Sequence, residues 1–219
     1  MAYYGYSSYE YNEPQQQMQR YGGSYNSSMA GKQAPSESPW NSISRSNFPP
    51  GTDPKVVKAF QAADVDGNGF IDVMELKRVL SSITQTNFSQ RTIRLMISTF
   101  TRSNTNRVGP KEFMSVFEGL KTWLNIFHRH DQNMDGTIDA TEMKEALNAV
   151  VGLPVSPNIL NLLLSKDSQP AILCDKFIEY CLVVKGLTEK FKDKDTTFTG
   201  NARFAYEDFM LSVLPFVVA

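Results

Sequence analysis

Residues 64–75 read Asp-Val-Asp-Gly-Asn-Gly-Phe-Ile-Asp-Val-Met-Glu, and residues 131–142 read Asp-Gln-Asn-Met-Asp-Gly-Thr-Ile-Asp-Ala-Thr-Glu. In both stretches oxygen-bearing side chains stand at the first, third, fifth, ninth and twelfth places, glycine at the sixth and isoleucine at the eighth. Oxygens so spaced converge on one point because the intervening residues face outward. Glycine at the sixth place takes a sharp turn that would strain any other residue. The two stretches hold eight of the 23 carboxylates and no Lys or Arg. So many anions together oppose the compact state by self-repulsion, and a bound divalent cation is the simplest relief.

This is the pattern of the twelve-residue EF-hand calcium loop. The first loop offers Asp64, Asp66, Asn68, the backbone carbonyl of Phe70, Asp72 through a water, and Glu75 with two oxygens. The other offers Asp131, Asn133, Asp135, the carbonyl of Thr137, Asp139 and Glu142. Two Ca2+ sites are expected. A bidentate glutamate supplies more oxygens than a small octahedral ion takes, which favours calcium over magnesium.

Three further units share parts of the pattern. Residues 101–112 keep Glu112 at the last place and Val108 at the eighth, but Thr101, Ser103, Thr105 and Asn106 replace the carboxylates and the turn glycine. Residues 165–176 keep Ile172, with Pro170 where glycine belongs and Lys176 where glutamate belongs. Both are expected to fold as hands and to hold no calcium. A fifth, atypical unit spans 195–208: Phe191 precedes Asp195 as Phe60 precedes Asp64 and Phe127 precedes Asp131, and Phe204 takes the eighth-place role. It is two residues longer than a standard loop. Hands pair at the eighth residue, which joins Ile71 to Val108 and Ile138 to Ile172. Five is odd, so the last hand and the apolar helix from Phe204 to Val218 are expected to meet a second copy across a two-fold axis; the rival is packing of that helix on the chain's own core.

Between the loops, apolar residues recur at i, i+3 or i+4, as in Val56, Val57, Phe60 and Leu76, Val79, Leu80, the stripe of an amphipathic helix. Asp53 and Pro54 suit the cap and first turn of the first helix. The fold class is therefore all-α: five helix-loop-helix units, about eight helices, in one globular domain over 48–219, with short inter-loop β contacts. Residues 1–47 carry seven of the nine tyrosines among Gln, Ser, Asn and Gly, with no Val or Leu, and read as a disordered tail.

Composition narrows the function. A formal charge of −1 over 219 residues leaves no basic footprint, so nucleic acid is not an expected partner. No uninterrupted apolar run reaches the roughly 18 residues of a membrane span. The N-terminus lacks a basic and then apolar leader, which argues against secretion, and Ala2 excludes the myristoylation pattern. Cys174 and Cys181 read as buried or half-buried free thiols on a helix. His128 and His130 flank the third loop without a His/Cys partner set, and no nucleophile or phosphate-loop motif occurs, so no enzyme is expected.

Five hands, a two-residue insertion in the fifth, ligand-complete first and third loops and a Tyr/Gly/Gln-bearing tail together resemble the penta-EF-hand family. Phe48 to Pro54, the run Val108-Gly109-Pro110-Lys111-Glu112-Phe113, and Lys185 to Asp195 through Phe209 to Phe216 resemble its plant calmodulin-like members. The likeness covers 48–219. It implies an eight-helix domain, dimerisation through the fifth hand with itself or a relative, and calcium-dependent binding to target proteins, peptides or membranes. The fourth loop departs from that pattern, being shortened and disrupted.

The leading expectation is a cytoplasmic calcium sensor, with calcium-dependent membrane association, in which filling the loops moves the helices after Glu75 and Glu142 and exposes apolar surface. Met74, Met96, Met114 and Met143 are candidates to line that groove. The alternatives are a passive calcium buffer or structural calcium protein, and a regulatory subunit acting in trans on an enzyme.

Overall fold

A computed structural model describes residues 48–101, 107–165 and 171–219. The expected tail over 1–47 and the middles of the second and fourth loops lie outside the described residues. Among the described residues eight helices follow in order: α1 (Pro54–Ala63), α2 (Val73–Thr84), α3 (Gln90–Thr101), α4 (Pro110–His130), α5 (Ala140–Val151), α6 (Pro157–Leu164), α7 (Cys174–Lys194) and α8 (Tyr206–Val217). Among the described residues none is long and apolar enough to cross a membrane.

Eight helices make five hands because two are shared. The 21-residue α4 leaves the second loop and enters the third, and the 21-residue α7 leaves the fourth and enters the fifth. At 1.5 Å per residue each spans about 30 Å, enough to reach from one loop layer to the next. The local chemistry of the starts is legible. Asp53 Oδ1 accepts the Lys55 amide at 2.8 Å with Pro54 in the first turn of α1. Ser156 caps α6 by accepting from Ile159 N. α2 ends at Gln85 and α5 at Gly152, both left-handed (φ 56° and 67°), which terminates the helical ladder.

Two antiparallel bridges tie the loops in pairs, Ile71 with Val108 and Ile138 with Ile172, each with reciprocal N–H···O bonds of 2.9 to 3.0 Å. These are the expected eighth-place partners, and all four side chains are buried. Behind the bridges the core repeats itself. Phe60 packs edge to face on Phe113 and Phe127 on Phe177, with Phe48 closing over Phe60 from the start of the domain. α3 packs on α4 and α7, and α5 on α7, so the core runs through both hand pairs.

Two details differ from expectation, the start of the last helix and the burial of two methionines. The last helix begins at Tyr206, not Phe204, because Ala205 is its extended N-cap (ψ 156°). Phe204, at the edge expected to lack a partner within the chain, forms no bridge among the described residues, and its ring meets Phe209 at 6.1 Å. Met96 and Met143 are wholly buried core residues, so of the four suggested groove methionines only Met114, half-buried, and Met74, 47% exposed, reach the surface.

Candidate metal centre

Each ligand-complete loop opens on a helix end. The amides of Asp64 and Asp131 donate to the carbonyls of Phe60 and Phe127 at 2.9 Å, closing α1 and α4, while the side chains turn back over the loop. Asp64 Oδ1 accepts the Asn68 amide at 3.0 Å and Oδ2 the Gly69 amide at 2.9 Å. Asp131 does the same with Asp135 N at 3.2 Å and Gly136 N at 3.1 Å. Gly69 and Gly136 share φ 81°, the left-handed conformation that places those amides beneath the first carboxylate. The third and fifth places repeat the device: Asp66 Oδ1 accepts from Asn68 N and Asn68 Oδ1 from Phe70 N, matched by Asn133 with Asp135 N and Asp135 with Thr137 N.

The closing glutamates do something their sequence position did not announce. Glu75 reaches across the loop so that Oε1 accepts the Val65 amide at 3.2 Å and Oε2 the Asp72 amide at 2.9 Å. Glu142 bridges Gln132 N and Asp139 N, each at 2.9 Å. In return Asp72 Oδ1 accepts from Met74 N and Glu75 N, and Asp139 Oδ1 from Thr141 N and Glu142 N, at 2.7 to 2.8 Å. These are reciprocal capping boxes that start α2 and α5. The ninth-place aspartates, expected as ligands through water, therefore also anchor helices. A signal was present in the sequence, an N-cap residue followed three places on by glutamate, but it coincides with the metal pattern and is masked by it.

The loops differ in environment. Asp131 and Glu142 are 7% and 6% exposed, whereas Asp64 and Glu75 are half-buried. Thr137 holds the Asp135 carboxyl below its ordinary value, first through its hydroxyl at 2.7 Å and then through its amide. Among the described residues no three His, Cys, Asp or Glu side chains are gathered as a metal-holding group; the carboxylates are distributed over backbone amides, and Asn68, Asn133 and the Phe70 and Thr137 carbonyls complete the oxygen set. That all-oxygen, four-carboxylate donor set in each loop fits a hard divalent ion and suits neither soft nor imidazole-preferring metals.

The fifth loop keeps half of this. Asp195, 7% exposed, accepts from Thr199 N at 3.0 Å and Gly200 N at 2.7 Å, as Asp64 and Asp131 do. At its far end stands Asp208, paired with Lys194 Nζ at 2.9 Å, where the first and third loops close on glutamate. His128 is exposed and His130 half-buried in the last turn of α4, apart from any ligand set.

Comparison with known proteins agrees with this geometry. A model of an EF-hand domain pair matches residues 54–118, and an EF-hand model matches 124–147. The chain is 54% identical over 183 residues to "Calcium-binding protein CBP" of Oryza sativa subsp. japonica, covering 81% of this chain and 62% of that one. It is 35% identical over 176 residues to "Probable calcium-binding protein CML48" of Arabidopsis thaliana, covering 78% and 77%. It is 34% identical over 166 residues to peflin of Homo sapiens, covering 74% and 58%. The chain belongs to the penta-EF-hand family. The solved structure of a homolog of programmed cell death 6 protein from Leishmania major Friedlin superposes with a TM-score of 0.59 at 24% identity, over 74% of this chain and 93% of that one, a likeness of fold. Against the rice protein and peflin, this penta-EF-hand chain spans about three fifths of their length. The family accounts for the fifth hand, which the two EF-hand models do not reach.

Proposed function

We propose that this penta-EF-hand protein is a calcium sensor that takes up one ion in each of loops 64–75 and 131–142 and then binds target proteins, peptides or a membrane surface from the cytoplasm. The observation that carries the reading is the double attachment of Glu75 and Glu142, each carboxylate joining the second and ninth places of its own loop while standing in the first turn of the following helix. When bound, calcium supplies a doubly positive centre to carboxylates that otherwise accept amide protons. Asp64, Asp66, Asn68, the Phe70 carbonyl, Asp72 and Glu75 would hold one ion, and Asp131, Asn133, Asp135, the Thr137 carbonyl, Asp139 and Glu142 the other. Any shift of Glu75 or Glu142 is passed to α2 or α5, because Leu76 and Met143, the next residues, are fully buried. Movement there exposes apolar surface for a partner.

The second and fourth loops serve as bridge partners and carry no ion in this reading, supported by Lys176 at the closing place of the fourth. The fifth hand pairs two copies, or this chain and a relative. Calcium titration with an apolar-surface dye tests the sensor: fluorescence rises, and the rise is lost in the Glu75→Gln, Glu142→Gln double variant. Heat of binding with a flat dye response would make the protein a buffer, and no heat at millimolar calcium would end the reading altogether.

A further inference from the structure

No residue of α8 is buried, so little of its surface anchors it to the body. Its far end is nevertheless held in two ways. Arg91 of α3 directs Nε to Glu179 Oε1 on α7 at 2.9 Å, Nη1 to the Val217 carbonyl at 3.1 Å and Nη2 to the Phe216 carbonyl at 2.5 Å. One rigid guanidinium fork thus joins α3, α7 and α8. The carbonyls it reaches are among those a helix C-terminus leaves without intrahelical donors, where the macrodipole favours a cation. Glu179, 7% exposed, is held from its other oxygen by Lys176 at 2.9 Å, so the acceptor of the clamp is itself fixed. The second hold is steric. The Phe216 ring lies where Gly186 of α7 lacks a side chain, and a methyl group there would fall inside the ring's van der Waals envelope.

The same helix presents an uncovered apolar flank. Tyr206, Phe209, Leu214 and Val217 are 80, 48, 38 and 60% exposed and lie along one side at helical spacing, with half-buried Met210 and Val213 between them. The flank carries no charged side chain, so it can meet its own copy across a two-fold axis without like-charge cost. Among the described residues both bridges belong to the first four loops, and the fifth loop has no such partner within the chain.

We infer that Arg91 is the positioning residue of the fifth hand's interface: by clamping the last turn of α8 to α3 and α7 it sets the angle at which the Tyr206–Val217 flank is offered to a second copy of this chain. The inference rests on the proposed fifth-hand dimer. Without the clamp, α8 hangs from the loop after α7, and pairing must first order it, a cost that pre-organisation removes.

The test uses the full chain and two readouts, amide hydrogen exchange over 206–217 and dimer dissociation by sedimentation. Arg91→Ala and Gly186→Ala, which attack the hold by charge and by shape, should each speed α8 exchange and weaken the dimer by about tenfold or more, the equivalent of 1.4 kcal/mol. Arg91→Lys should recover part of both, since a point charge cannot serve three acceptors, and Arg94→Ala on an exposed site of the same helix should match wild type. Unchanged α8 exchange in Arg91→Ala and Gly186→Ala, with the wild type dimeric, overturns the positioning role alone. A wild-type chain that sediments as a monomer at micromolar concentration overturns the fifth-hand dimer, and the interface role of Arg91 with it.

Discussion

Phe127 meets Phe177 edge to face, ring centroids 5.4 Å apart and planes at 72°, and Phe60 meets Phe113 at 5.5 Å and 70°. In each pair one ring comes from the helix entering a ligand-complete loop and the other from the helix leaving its ligand-poor partner. The entering phenylalanine also gives its carbonyl to the first aspartate of the loop. Each loop is thus fixed to the core at the residue where its EF-hand pattern begins.

That arrangement makes the rings expensive to remove. Phe127→Ala is expected to cost about 3–5 kcal/mol, the range for a buried aromatic truncation, whereas Phe198→Ala, at a ring 93% exposed, should fall within about 0.5 kcal/mol of wild type. Urea unfolding of the two variants under identical calcium conditions makes the comparison.

Glutamate at the last place has two separable duties. Glu142→Gln keeps an oxygen for the Gln132 or Asp139 amide but loses the charge, so calcium at loop 131–142 should weaken by at least about tenfold. In chelator the same variant should lose about 1–3 kcal/mol of stability, since the Gln side-chain nitrogen cannot accept from the second backbone amide and leaves that donor unsatisfied. Calorimetry and thermal unfolding read these independently, and Glu75→Gln should behave likewise at loop 64–75.

Helix capping by the ninth-place aspartate predicts an effect without any metal. Asp139→Ala in chelator should cost about 0.5–2 kcal/mol, and Asp139→Ser should restore most of it because a hydroxyl also caps. Equal melting of all three proteins in chelator would show that the capping box contributes nothing.

The two thiols predict an alkaline loss of stability. Burial pushes Cys174 from 9.0 up to about 12, over a smaller opposing hydrogen bond with Thr86, and burial also raises Cys181. Their protonated forms are favoured in the native state, so this contribution is fully present below about pH 9. It falls as the unfolded thiols ionise, between about 9 and the raised native value. Unfolding midpoints should decline over that window less steeply in Cys174→Ser. At pH 8 a thiol reagent should label neither cysteine until the chain is unfolded.

The two EF-hand loop patterns and their pairing were readable along the chain because such a loop dictates residue type at fixed spacing. Asp64, Asp131 and Asp195 sit alike because five residues of local geometry suffice to turn each carboxylate onto its loop amides. The bridges were readable for the same reason, since the eighth place of one loop can meet only the eighth of its neighbour. The start of α8 at Tyr206 is not legible in the same way, because two extra loop residues put Phe204 out of register with the other hands. Methionines could not be sorted, since helical periodicity places Met96, Met143 and Met74 on stripes without saying which stripe faces the core.

Sequence alone determined what is local and chemically forced: which loops carry the full EF-hand pattern, which residues bridge the loops, and that the hands number five. Tertiary structure decided what depends on contacts between residues far apart in the chain. Nothing near Arg91 marks it among the 22 Lys and Arg, because its partners Glu179, Phe216 and Val217 lie 88, 125 and 126 residues away. Only the folding of α3 against α7 and α8 brings that fork to the carbonyls it holds.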